Sequence, residues 1–516
     1  MGYAHDYASA ILYRGRVPME PVDFVPDWAD RPRKAKYYPG AETLPLPEPE
    51  SGGPRPAPGF TLPLLSGMLQ ESYGLTGRRL GVQANTDLAA LPHYTQANWS
   101  RGTASGGGLY PVGVYWAAGA GGPLTPGLYH YAPHQHGLRR LLAGDVTGDV
   151  RRALGPGPGE GASQYLVLSV KYWQNSFKYN SFSFHAVSMD VGALVQTWRL
   201  WARAYGLRIA PVLWFDEERL AGLLGVAPEE EGVFAVLPLE WEGDAAGPAA
   251  GAPPTGAGVR HRDAERSRTV LAFETLERIH GATLGRAGDR PAPGALDAAA
   301  AYPPRGGEPV PLPAPPAPPM GETAALRARR SSFGRFDAGR AVTAEQLAAA
   351  LAQCAATRPG SEAERSDGPP LTSLYVFVNH VEGIEPGSYA YDPAEHALRL
   401  VVPGPPGPFL QANYFLSNYN LEQAGAVLVP TVRTSAVLDA VGDRGYRLMG
   451  AAVGAVAQTF YTTAAAHGLG AGVALGFDNV SYAERLGLAD TDEAPLLIML
   501  LGHERPRPAD FRHEIA

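Results

Sequence analysis

The chain is nearly without cysteine. Cys354 stands alone among 516 residues, which excludes an intramolecular disulfide and a Cys-rich metal centre and fits a reducing cytoplasm. A net charge of −8 with no long basic run argues against nucleic acid, whose binding rests largely on phosphate neutralisation. The 13 histidines lack HExxH-like spacing, and His134-Gln135-His136 falls in a predicted hairpin turn, where histidine is more often solvated than liganded. No metal is expected. No long uncharged apolar run occurs either. The nearest stretch, 448–477, is interrupted by Gln458, Thr459, Thr462, Thr463 and His467, and reads as a buried helix rather than a membrane span. The N-terminus has no basic region followed by an apolar stretch, so no secretory signal is expected.

What the chain does have is a single long repeat. Pro126-Gly-Leu-Tyr129-His-Tyr131-Ala-Pro133 reappears as Pro386-Gly-Ser-Tyr389-Ala-Tyr391-Asp-Pro393, an offset of 260 that covers His136 and His396. Further on the offset becomes 262, matching Gln196 with Gln458, Gly206 with Gly468, Asp216 with Asp478 and Gly225 with Gly487. One repeat at this spacing is a domain duplication, because solenoid periods run at about 20–50 residues. A fused pair can rebuild the interface of a homodimer, and a site there draws on both halves.

The organisation follows from that repeat. Residues 1–59, rich in Pro, Tyr and charge, read as an arm. Residues 60–242 form the first repeat, with a helix over 61–73, a strand over 112–118, a hairpin over 127–141, a long helix over 190–205 and a strand over 234–239. Residues 243–322 form a linker whose Pro/Ala/Gly segments, 243–258 and 286–322, are expected to extend without packing. An isolated helix is expected between them, over 267–283. Residues 323–516 hold the second repeat in the same order, with its long helix over 447–467.

Each repeat carries motifs that the other lacks. Arg329-Arg330-Ser331-Ser332-Phe333-Gly334-Arg335-Phe336 opens the second. Arginines beside serines at a helix entrance can hold a phosphate; the alternative is a solvated basic loop with a helix cap. Arg505 and Arg507, after the last strand, can join the same anion site. In the first repeat, Arg101-Gly102-Thr103-Ala104-Ser105-Gly106-Gly107-Gly108 precedes a strand. Its glycines allow backbone to approach a flat ligand closely. At offset 260 its counterpart is Arg365-Ser366-Asp367, without that chemistry. Lys178-Tyr179 lies ahead of the first long helix. A lysine can stabilise a neighbouring phenolate, so that the tyrosine works as a base. Lys171-Tyr172 has the same composition, and an amphipathic surface pair is the plainer reading of either.

Together these motifs resemble the SagB/McbC-type branch of the flavin-dependent nitroreductase superfamily, the azoline dehydrogenases of ribosomal peptide maturation. That branch shows an Arg-Arg-Ser-x-Arg-x-Phe-like helix start, an Arg-x-x-Pro-Ser-x-Gly-Gly-Leu-Tyr-Pro loop, a Gly-x-Tyr-x-Tyr hairpin, and a Lys-Tyr pair before a helix with Asp-x-Gly. Here they stand as Arg329–Phe336, Arg101–Pro111, Gly127–Tyr131 with Gly387–Tyr391, Lys178-Tyr179, and Asp190-Val191-Gly192. Ala104 replaces the usual Pro, and Phe333 stands where a second Arg is usual, leaving Arg335 as its substitute.

The resemblance implies an α+β fold: two nitroreductase-like units, each an antiparallel-rich sheet flanked by helices, paired as an intrachain pseudo-dimer. It implies one composite FMN site per chain, drawing on Arg101, Ser105, Gly106 and Gly107 from the first repeat. The second would supply Arg329, Arg330, Ser331, Arg335, Gly470, Gly472, Arg505 and Arg507. Lys178 and Tyr179 would be catalytic, with Tyr179 as base. The implied partners are an azoline-containing precursor peptide and a cyclodehydratase complex. Two other readings remain: an FMN reductase taking hydride from a nicotinamide to nitro or quinone substrates, and a catalytically silent peptide-binding scaffold.

Overall fold

The computed structural model describes residues 2–49, 53–80, 97–244, 254–365, 367–505 and 512–514. Two antiparallel sheets dominate it. The first runs in the order Thr43–Pro45, Gly137–Ala143, Gly127–Ala132, Val112–Ala118, Gln164–Lys171, Glu231–Leu239. The second runs Gly470–Ala474, Ile498–Gly502, Ala426–Arg433, Thr372–Val378, Gly387–Asp392, Ala397–Pro403, Pro309–Pro311, with Glu493–Pro495 also paired to Ala426–Arg433. Their central strands are buried along both faces, which explains their nearly continuous apolar sequence.

The repeat is visible in detail. The hairpins carry equivalent register shifts, at Leu128/Tyr129 and at Ser388/Tyr389. Tyr131 OH meets His136 Nδ1 at 3.0 Å, as Tyr391 OH meets His396 Nδ1 at 2.8 Å. Behind each sheet runs a helix of 22 residues, Ser183–Ala204 and Gly445–Ala466. The first starts a turn or more before the sequence suggests, because Ser183 and Phe184 are buried with it. The two helices cross almost in backbone contact. A Cβ at Gly192 would strike Ala451 O, and one at Gly454 would strike Met189 O. Small residues in 448–477 therefore serve this crossing. Among the described residues no helix is long and apolar enough to cross a membrane.

Two expectations about the linker need correction, and the arm wraps the body as a matching edge. The linker packs: Pro309–Pro311 pairs with Ala397–Pro403, and Leu296, Ala299 and Leu312 are buried. The arm supplies the matching edge, Thr43–Pro45 beside Gly137–Ala143. It also contributes the helix Tyr3–Tyr13, which buries Ala4, Tyr7 and Ile11. The linker helix, Glu274–Leu284, is not isolated, since Leu276, Ile279 and His280 are buried. Near the C-terminus, Arg512–Glu514 returns to the first half and pairs with Gly77–Leu80.

Candidate active site

The Ser-Gly loop is held from both halves. Within its own half, Ser105 Oγ donates to Asp190 Oδ2 at 2.6 Å and Gly106 N to Asp190 Oδ1 at 2.8 Å. From the other half, Gln458 Oε1 accepts from Ala104 N at 2.9 Å, while its Nε2 donates to Gly102 O. Arg329 donates from Nε to Gly102 O and from Nη2 to Arg101 O, both at 2.8 Å. Arg329 thus clamps this loop with two of its three guanidinium nitrogens. Its plane also lies over Tyr461, whose hydroxyl meets Ser331 Oγ at 2.8 Å.

Gly107 has φ +61° and faces the Lys-Tyr pair. A Cβ there would lie 2.5 Å from Tyr179 OH and 2.6 Å from Lys178 Nζ. The helix Trp173–Tyr179 ends at this point, and Lys178 Nζ lies 4.7 Å from the Tyr179 ring centre. Burial, then the Asp190 carboxylate, pushes the Tyr179 phenol well up, and burial pushes the Lys178 amine down. Burial and Asp190, not the lysine, set the direction of the phenol's shift. The other pair differs in kind. Lys171 is bound to Asp263 at 2.6 Å and Glu265 at 2.7 Å, and Tyr172 OH to His280 at 2.8 Å.

On the second half, a cavity of about 550 Å³ is lined by Arg330, Arg335, Arg340, Arg505, Tyr461 and Gly470, among others. Arg330 and Arg335 both pair with Glu504, and Arg505 donates to Gln423 at 3.0 Å. Among the described residues lining it, four guanidiniums and one carboxylate suit a phosphate-bearing ligand, and the volume is that of an ordinary cofactor pocket. Ser332 Oγ is buried without a partner among the described residues, 2.7 Å from where a Gly470 Cβ would stand. Gly472 packs against the Tyr419 ring, which stacks on Phe333. These residues fit the phosphate end of FMN. Arg507 lies outside the described residues. Arg101 lines a separate cavity and donates to Tyr73 O at 2.7 Å.

The loop's counterpart is not where the 260 offset puts it. Thr103 Oγ1 bonds Thr197 at 3.0 Å, and Thr357 Oγ1 bonds Thr459, the repeat partner of Thr197, at 2.9 Å. The spatial counterpart is therefore Thr357–Ser361, with Pro359 and Gly360 opposite Ser105 and Gly106. Arg365 pairs instead with Asp297 and Asp367, and Ser366 lies outside the described residues. Sequence reasoning passed over Asp190 and Gln458 as anchors, although both stood in motifs or matches already in view.

Burial pushes Asp190 up to about 7, against its hydrogen bonds from Ser105 and Gly106. A raised carboxyl means the folded state keeps a proton that the unfolded state has lost. Stability therefore falls as pH rises from about 4 to about 7. Asp190→Asn cannot ionise and should flatten that slope, by about 2–4 kcal/mol across the window. Urea unfolding at pH 4.5 and 7.5 reads it; equal slopes in both proteins would remove Asp190 as the source.

Comparison with known proteins fits this geometry. Residues 326–503 match the Nitroreductase family. The second half thus carries a nitroreductase-family domain. A protein of Methanocaldococcus jannaschii assigned as a nitroreductase is 33% identical over 133 residues, 25% of this chain; the chain spans 64% of that relative's length. The crystal structure of a protein of Anabaena variabilis, also assigned as a nitroreductase, overlays at a TM-score of 0.73 and 23% identity. That match covers 98% of this chain and 100% of that one, so the nitroreductase-like fold extends through both halves.

Proposed function

We propose that the protein is an FMN-dependent dehydrogenase that oxidises thiazoline or oxazoline rings in a ribosomally made precursor peptide to thiazoles or oxazoles. The observation that carries this reading is the convergence of Lys178 and Tyr179 on Gly107, at a loop clamped by both halves. Arg330, Arg335, Arg505, Ser331 and Gly470 would hold the cofactor. Bound FMN would supply the acceptor for the hydride leaving the ring Cβ, with oxygen restoring it.

The chain's own residues handle the proton. The ring Cα–H is acidified by the adjacent imine and carbonyl. Tyr179 is the base that takes this proton, and the Lys178 amine beside it at Gly107 stabilises the phenolate, against burial, which pushes the phenol up. Clamping the loop holds Gly107 against the pair, which makes the reaction chiefly one of positioning. The units are taken as 60–242 and 323–516, forming a pseudo-dimer with one shared site. An azoline-containing peptide and a cyclodehydratase complex are its partners.

Flavin released from purified protein should amount to one FMN per chain. Two per chain would reject a shared site, and none after reconstitution would reject the cofactor. Given an azoline peptide and oxygen, peptide mass should fall by about two hydrogens per ring, the loss of a two-electron oxidation. Rapid nicotinamide-driven nitroaromatic turnover with unchanged azolines would favour a general reductase instead.

A further inference from the structure

A second, smaller cavity lies at the seam between the arm and the first sheet. Lys34, Lys36, Arg101, Tyr110, His130 and Gln174 are among the residues lining it. Its free space, about 10 Å³, is near the lower limit for one water-sized group. The surroundings are strongly cationic. Lys36 is already paired with Glu231, and that carboxylate also accepts from Ser169 Oγ at 2.5 Å and Tyr115 OH at 3.4 Å. Its charge is therefore spent. Lys34 and Arg101 also face the cavity, and none of the described residues lining it is a carboxylate. The like charges of Arg31 and Arg101, added to burial, push the Lys34 amine down. Arg101 and Lys34 act likewise on His134.

The floor of the cavity has an unused polar atom. His130 is 2% exposed, and its Nδ1 has no partner among the described residues. Arg101, 3% exposed, is wedged between the rings of Tyr73 and Tyr110. Lys34 is exposed, at the mouth. A buried guanidinium in a space for one oxygen, with an exposed ammonium also lining it, suits a group that inserts one oxygen and leaves the second outside.

We propose that this cavity is a carboxylate-binding port, with the carboxylate oxygens held by the Arg101 guanidinium and the Lys34 ammonium. The carboxylate comes from an acidic side chain of a peptide or from a free small acid. Occupancy would bear on the Ser-Gly loop, since Arg101 is its first residue and its carbonyl is gripped by Arg329.

The full chain is melted against rising sodium formate, with ionic strength held constant by sodium chloride. Formate should raise the melting temperature saturably. Lys34→Gln, on an exposed residue outside the proposed catalytic and flavin sites, should shift half-saturation about tenfold upward, the loss of one charge-assisted hydrogen bond. Formate behaving like chloride, or the variant behaving like wild type, overturns the port. A blocked Gly-Asp-Gly peptide and its Asn analogue separate the sources. Stabilisation by the Asp form alone assigns a peptide carboxylate; stabilisation by formate but neither peptide assigns a free acid. Azoline turnover is not measured, so failure here leaves the dehydrogenase reading to its own test.

Discussion

Tyr179→Phe should oxidise azolines about 10²–10⁴-fold more slowly than the parent, the span of general acid–base catalysis, while keeping its flavin. The substitution removes one oxygen and leaves the ring, which packs 6.2 Å from Phe182 between ring centres. The fold and the loop clamp do not depend on that oxygen. Lys178→Ala should also slow turnover, because the charge beside the phenol is lost. Tyr172→Phe is the control. Its hydroxyl is bonded to His280, within the buried core, so it should alter stability more than rate. Single-turnover kinetics on flavin-loaded protein separate these cases. Normal oxidation by a loaded Tyr179→Phe protein would take the tyrosine out of the reaction and leave the flavin site standing.

The largest structural effect is expected at Gly454. It lies on the helix Gly445–Ala466 where that helix meets Ser183–Ala204. Even a methyl group would strike the main-chain oxygen of Met189. Backbone cannot yield as a side-chain tip can, so the helices must separate. Overpacking of this kind costs about 1–3 kcal/mol and sometimes more. Gly454→Ala should fall at or above the top of that range and release flavin, since the site is built across this crossing. Gly222→Ala is the matched control. It lies in the helix Glu217–Leu224 with nothing within 4 Å of its Cβ position, and should be neutral or stabilising by up to about 1 kcal/mol. Denaturant midpoints for the two variants test the contrast; similar midpoints would mean that the crossing is plastic.

Legibility in the sequence followed interaction range. The hairpins and long helices were readable because their signals lie within one element: Tyr-x-Tyr alternation, helical spacing, and the stop at Gly206, which has φ +71°. The edge strands Thr43–Pro45 and Pro309–Pro311 were not, because three residues carry no usable period and proline argues against a strand. The clamp by Arg329 was not legible, because sequence shows its charge and not its partners; the carbonyls of Arg101 and Gly102 lie more than 220 positions away. The same limit misplaced the loop's counterpart, where two equivalent threonine pairs, each joining a loop to the long helix of its own half, fixed the correspondence. The opposing shifts at Lys178 and Tyr179 come from burial, which a dipeptide does not display.

The edge strands carry the likeness of the two halves beyond the matching letters. Leu46 N donates to His136 O at 3.1 Å, and Leu312 N to His396 O at 3.0 Å, so each hairpin is bordered by chain that comes before its own recognisable repeat. The segment read as an arm at one end and the segment read as a linker in the middle do the same job. A cut at residue 60 or at residue 323 would strip each sheet of an edge strand.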